Sequence, residues 1–214
     1  MSWHRLRPLS VLLCIPVAIA CVLNGKTNQP ANADIGKQPA HAPSLEIPNE
    51  PWERAFFAEL EKRTTNAGIS DLRKTVLPDQ DLEMRFWYDH FEVIQGLIIR
   101  RSGGNWSATY LKQKSVRDPT SESTDLGPPK AGWEDVWTRL VSAGIFTLPD
   151  QSQTKCKSEA LDGIGYVVET NANQKYRTFR YGNPQLVNCD EARRVQSIET
   201  ILGEAFGLVD LQEQ

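Results

Sequence analysis

The chain has 214 residues, with 24 Lys and Arg against 27 Asp and Glu and a formal net charge of −3. That length suits one domain with a real core plus terminal extensions. A nucleic-acid binder carries a basic footprint, which this mildly acidic composition lacks, so nucleic acid is not an expected partner.

Residues 1–8 hold Arg5 and Arg7 and no acid; residues 9–23 are almost wholly apolar; polarity returns at Asn24, Gly25 and Lys26. This is the layout of a secretory signal peptide, predicted over residues 1–20. The apolar run contains Pro16 and is shorter than the roughly 20 residues of a spanning helix. Ala18-Ile19-Ala20 fits a signal-peptidase site. With Cys21 behind it, "VAIAC" also resembles a bacterial lipobox, in which the Cys thiol takes a diacylglycerol and becomes the first mature residue. Leucine usually stands three places before that Cys, where this chain has Ala18, so a soluble secreted or periplasmic product is the alternative. Val22 rather than Asp after the Cys points to the outer membrane or cell surface. The expected membrane partner is reached through lipid on Cys21, and two or more acyl chains give stable attachment.

Residues 21–48 are rich in Pro, Ala, Asn and Gln, without apolar periodicity, and read as a flexible linker. The folded domain is assigned to residues 49–214. Loss of residues 1–20 removes two arginines and no acid, for a mature net charge of −5. It also removes Cys14, so only Cys156 and Cys189 remain in the domain. Outside the cytoplasm such a pair is expected to form a disulfide, the alternative being two separate buried thiols. Closing that loop contributes about 4 kcal/mol in the chain-entropy model.

Within the domain, Asn49–Asn66 reads as a helix with Pro51 in its first turn, Trp52, Phe56 and Leu60 on one face, and Gly68 as its stop. "DLEMRFWYD", "FEVIQGLIIRR" and "NWSATYLKQK" read as three strands, the last two joined by the hairpin signal "SGGN". Residues 117–130 read as a polar loop. Trp133, Val136, Trp137, Leu140 and Val141 then repeat at helical spacing over Gly132–Ala143, with Gly144 as terminator. "GIGYVVET" and "KYRTFRYG" form a second hairpin across Asn171–Gln174. A last helix spans Asp190–Phe206, with Asn188 as the expected cap. The expected fold class is α+β: a single twisted antiparallel sheet of about five strands with helices packed on one face.

Few catalytic signatures are present. The folded region offers His90 as its single histidine, best read as a turn residue, and His41 falls in the linker. There is no nucleophile elbow, P-loop, dinucleotide fingerprint or metalloprotease helix. No cofactor is expected, and no Cys/His spacing for metal. Paired carboxylates are the remaining catalytic option, with Glu83, Asp89, Glu92 and Glu169 as strand or turn acids. Arg and Tyr together favour anionic or peptidic partners, which makes Trp87, Tyr176, Arg177, Arg180 and Tyr181 the candidate binding surface. The bland alternative is a sheet face held by ordinary cross-strand pairs, including Glu169.

The stretches "RFWYD", "GWEDVW", "DGIGYVVE" and "KYRTFRYGNP" together resemble an uncharacterised family of small bacterial secreted or lipoprotein-type domains over roughly residues 80–205. The resemblance implies an extracytoplasmic domain and transfers no substrate or active site. The expected function is therefore a lipid-anchored envelope protein with a non-catalytic domain that binds a protein, peptide or glycan. The alternative is a secreted hydrolase that uses paired carboxylates on a glycan or similar polymer.

Overall fold

A computed structural model describes residues 43–90, 93–113, 118, 120–156 and 163–208, the side chains of His90 and Val93 excepted. The leader, Cys21, His41, Glu92 and most of the linker lie outside the described residues. The elements are β1 (Ser44–Glu46), α1 (Pro51–Thr64), β2 (Leu82–His90), β3 (Val93–Ser102), β4 (Asn105–Gln113), β5 (Ser121–Leu126), α2 (Trp133–Ala143), β6 (Ile164–Ala172), β7 (Lys175–Gly182) and α3 (Asp190–Phe206). Among the described residues no helix is long and apolar enough to cross a membrane.

The architecture is α+β, with one open, mixed sheet of seven strands in the order β1-β7-β6-β2-β3-β4-β5. Every pairing is antiparallel except β1 with β7. The two strands beyond the expected five come from segments without apolar alternation. Strand β1 falls in the stretch read as linker, and β5 falls in the polar 117–130 loop. Both are edge strands, where backbone pairing needs no buried side chains.

The helices cover both faces of the sheet, which corrects the one-face expectation. Strands alternate sides along the chain. Met84, Phe86 and Tyr88 of β2 join Leu97, Ile99, Tyr166, Val168, Phe179 and Tyr181 beneath α2 and α3. The alternate residues of the sheet, including Trp87, Ile98, Leu111 and Val167, pack under Phe56, Phe57 and Leu60 of α1. That second face carries Glu83 and Arg85, which is why its sequence reads as solvent-facing. Both charges are buried.

The two tight hairpins are as the sequence predicts. Gly103 and Gly104 take φ of 55° and 82°, and Asn173 and Gln174 take 51° and 57°, the paired left-handed geometry of two-residue hairpins. Asn183 rather than a glycine also adopts φ of 48°, and its side chain accepts from the Ile164 amide. Helix α3 is capped by Cys189, not Asn188: the Ala192 amide donates to Cys189 Sγ at 3.3 Å. Cys189 is joined to Cys156 by a disulfide, with 6.0 Å between their Cα atoms. The bridge ties the segment that enters the β6–β7 hairpin to the start of α3.

Much of the outer edge of β7 is occupied. β1 pairs with Lys175–Arg177, and Glu46 forms ion pairs with Lys175 and Arg177 at 2.8 and 2.7 Å. Farther along, the Arg180 amide donates to Asp150 Oδ2 and the Gly182 amide to Gln151 Oε1, each at 2.8 Å.

Gly96 sets how closely β3 approaches Trp87. The two residues are register partners, and a Cβ at Gly96 would run into the six-membered ring of the indole. Gly96→Ala is therefore expected to destabilise the domain by about 1–3 kcal/mol in urea unfolding, the usual cost of overpacking. Gly127→Ala, where an added Cβ meets nothing within 4 Å, serves as the control. Equal midpoints for the two variants would contradict the close packing.

Candidate functional site

Beneath α1 the sheet carries a buried polar seam rather than a continuous apolar surface. Its members come from neighbouring strands in register: Glu83 lies opposite Arg100 on β3 and Asn171 on β6, and Arg85 lies opposite Glu169. Glu83 is the shared acceptor. Its Oε1 takes the Arg85 Nε–H at 2.7 Å, and its Oε2 takes Arg100 Nε–H at 2.8 Å. Arg85 also donates through Nη1 to the Ser70 carbonyl at 2.9 Å. Asn171 Nδ2 reaches the Thr75 carbonyl at 2.8 Å. These bonds fasten the segment after α1 to the sheet.

Glu169 lies at the centre of the seam. The Trp87 indole N–H donates to its Oε2 at 2.6 Å, and the Tyr176 hydroxyl donates to its Oε1 at 2.9 Å. The carboxyl is only 1% exposed. Burial pushes its pKa above the usual carboxylate range, against the charge of Arg85 and the two hydrogen bonds, which act the other way. Burial and the Glu169 charge together push the Tyr176 hydroxyl well above its ordinary value, so Tyr176 remains a donor.

A cavity of about 290 Å³ opens between α1, the Thr65–Arg73 segment and this seam. That is the low end of small-molecule sites, which run from roughly 300 to 1,000 Å³. Phe57, Leu60, Ile69 and Leu72 form its apolar walls, while Arg85 and Glu169 line it from the sheet side. Gly68, at φ of 69°, turns the chain at the end of α1 so that the wall can fold back. At the rim, Asp71 caps the turn that follows it by accepting the Arg73 amide at 3.0 Å. The Arg73 side chain also donates to both Asp71 oxygens at 2.8 Å, and its guanidinium lies over the Phe57 ring, 4.2 Å from the centroid. Burial raises the Asp71 pKa, but hydrogen bonds from Arg73 and Lys74 outweigh it and hold the carboxyl below its usual range.

The chemistry this arrangement favours is holding rather than reacting. Asp71 is engaged by Arg73 and Lys74, and each Glu169 oxygen already accepts a protein donor. A general acid or base needs an atom within hydrogen-bond reach of the substrate. Of the other two described acids considered for catalysis, Glu83 is ion-paired inside the seam and Asp89 pairs with Arg180 at 3.3 Å, and neither lines this cavity.

The residues assigned from sequence to one binding surface are distributed otherwise. Trp87, Tyr176 and Arg180 lie on the α1 face, and Arg177 and Tyr181 on the opposite face, as the strand register requires. Trp87, Tyr176 and Tyr181 have no solvent exposure, so these three are interior groups. Arg177 is buried and donates to Glu46 at 2.7 Å, while Tyr181 donates to the Pro149 carbonyl at 3.0 Å. Trp87 and Tyr176 meet at Glu169; Arg180 stays part-exposed beside Asp89 and Trp52. The cavity residues Asp71 and Arg73 had no sequence signal beyond the Asx-turn pattern of "SDLRK".

One group with metal-ligand spacing occurs among the described residues: Cys156, Cys189 and Glu191. Its two sulfurs are joined to each other, and Glu191 Oε2 lies 3.2 Å from Cys156 Sγ. The disulfide accounts for the cluster. Compared with known protein families, curated proteins and solved structures, the chain matches none.

The raised pKa of Glu169 has a definite sign in stability. The unfolded carboxyl ionises near 4.5, whereas the folded one keeps its proton to higher pH. Above that point the unfolded state binds fewer protons, so the contribution of Glu169 falls as pH rises. Relative to Glu169→Gln, the wild type is therefore expected to be most favoured below pH 4.5 and to lose ground steadily above it, in urea unfolding followed to pH 8. Parallel pH profiles for the two proteins would contradict a buried, proton-retaining carboxyl.

Proposed function

We propose that this chain is an exported, lipid-anchored envelope protein, and that its domain is a binding module whose ligand site is the cavity between α1 and the sheet. The observation that carries the binding assignment is the cavity lining. A buried guanidinium, Arg85, lines it from the sheet side, while Glu169 beside it is already engaged by protein donors. Such a site has donors to offer a ligand, and its two inner acids, Asp71 and Glu169, are both committed to protein donors. The disulfide between Cys156 and Cys189 supports an oxidising compartment, where such bridges persist. The leader over residues 1–20, followed by Cys21, supports attachment through lipid.

The hydrolase alternative has one observation in its favour. Asp71 and Glu169 share the cavity, and their environments push their pKa values in opposite directions. Against it, Glu169 is 1% exposed and Asp71 serves as a turn cap. The binding reading needs no rearrangement of either acid.

Labelled palmitate tests the anchor. In bacterial cells the label should enter the wild type and be absent from Cys21→Ser, with the variant shifted from the membrane to the soluble exported fraction. Equal labelling of both, or none in the wild type, would remove the lipid anchor from the proposal.

A further inference from the structure

The cavity has an unbalanced set of hydrogen-bonding groups. Arg85 presents five N–H donors, of which two are placed: Nε–H on Glu83 Oε1, and one Nη1 hydrogen on the Ser70 carbonyl. Its Nη2 lies 2.7 Å from the same Glu83 Oε1, close enough for Coulombic attraction, yet makes no aligned hydrogen bond. Glu83 has nothing more to give, because its second oxygen serves Arg100. The side chain is 2% exposed, and its approach is from the cavity that it lines. A buried guanidinium nitrogen in this condition costs free energy until an acceptor arrives.

The acids that line the cavity do not repair the deficit. No hydrogen bond joins Glu169 to Arg85, and both Glu169 oxygens accept from other groups. Asp71 is turned to Arg73 and Lys74. Phe57, Leu60, Ile69 and Leu72 form the apolar part of the lining, and Glu61, Thr64, Thr65 and Ser70 complete it toward the rim. An anionic, planar, two-oxygen group on a compact apolar body satisfies both halves of this surface. A guanidinium fork matches a carboxylate in geometry as well as charge.

Resting on the binding assignment above, we infer that the cavity takes a small carboxylate, with its two oxygens toward Arg85 and its apolar part against Phe57, Leu60 and Ile69. The carboxylate belongs to a free organic acid or to the C-terminus of a short peptide. Both present the same group, and experiment separates them.

The full chain, purified in detergent, is titrated with two acid–amide pairs while backbone amide and Arg Nε–H resonances are followed. Hexanoate and hexanamide represent a free acid; N-acetyl-leucine and N-acetyl-leucinamide represent a peptide terminus. The expected result is that at least one acid binds about tenfold or more tightly than its amide, as a charge-assisted bond to a buried donor requires. The shifts should centre on Ser70–Arg73 and the Arg85 Nε–H, and the tighter acid names the source. Arg85→Lys, which keeps the charge without the fork, should weaken the preference for acid over amide, and Arg85→Met, which removes both, should abolish it. Thr65→Trp on the exposed rim should block binding without touching the seam. If an acid and its amide bind equally within the cavity, the carboxylate inference falls and the binding site stands. If none of the four shifts the cavity resonances, the cavity assignment falls as well.

Discussion

A fully buried carboxyl, Glu169, sits where the sheet meets α1, and the arrangement of that face follows from keeping it satisfied. Trp87 and Tyr176 each donate to one of its oxygens, and Arg85 lies beside it in register. Burying such a group costs several kcal/mol even when it is paired. The aromatic groups that enclose it work in the opposite direction: an indole buries about 150–250 Å², which at about 25 cal/mol per Å² stabilises by roughly 4–6 kcal/mol. Trp87 alone therefore offsets much of the cost while supplying one of the hydrogen bonds. Gly96 is the counterpart of that solution, since no larger residue leaves room for the ring.

The same seam anchors the chain after α1. Arg85 holds the Ser70 carbonyl, and Asn171 holds those of Leu72 and Thr75. These strand-borne donors bond the 65–75 segment to the sheet and so help to set one wall of the cavity. Binding site and fold thus share residues. The Cys156–Cys189 bridge acts at a separate place, fixing α3 to the approach of the β6–β7 hairpin on the other face. Strand β1, from the stretch read as linker, closes part of the β7 edge.

Much of this was legible in the sequence where local patterns suffice. Helix α2 showed itself through Trp133, Val136, Trp137 and Leu140, and both tight turns through their Gly and Asn residues. The disulfide followed from counting cysteines once Cys14 and Cys21 were set aside. The second covered face was not legible, because Glu83 and Arg85 make β2 alternate as though one side met water. Only the pairing of β2 with β6 and β3 shows that each charge has its partner beside it. Edge strands β1 and β5 escaped for a related reason: backbone pairing decides them, and exposed edge residues carry no alternation. Trp87 and Tyr176 were recognised as unusual, but their meeting at Glu169 depends on strand order.

Trp87 holds Glu169 in a closed, structural seam that shapes the cavity. Native-state hydrogen exchange of the Trp87 indole N–H tests it most directly. Exchange is expected only through global unfolding, with an opening free energy equal to that of the slowest amides of β2 and β6. Rapid exchange of that indole in the intact protein would contradict it, since the hydrogen bond to Glu169 would then be open to solvent in the native state.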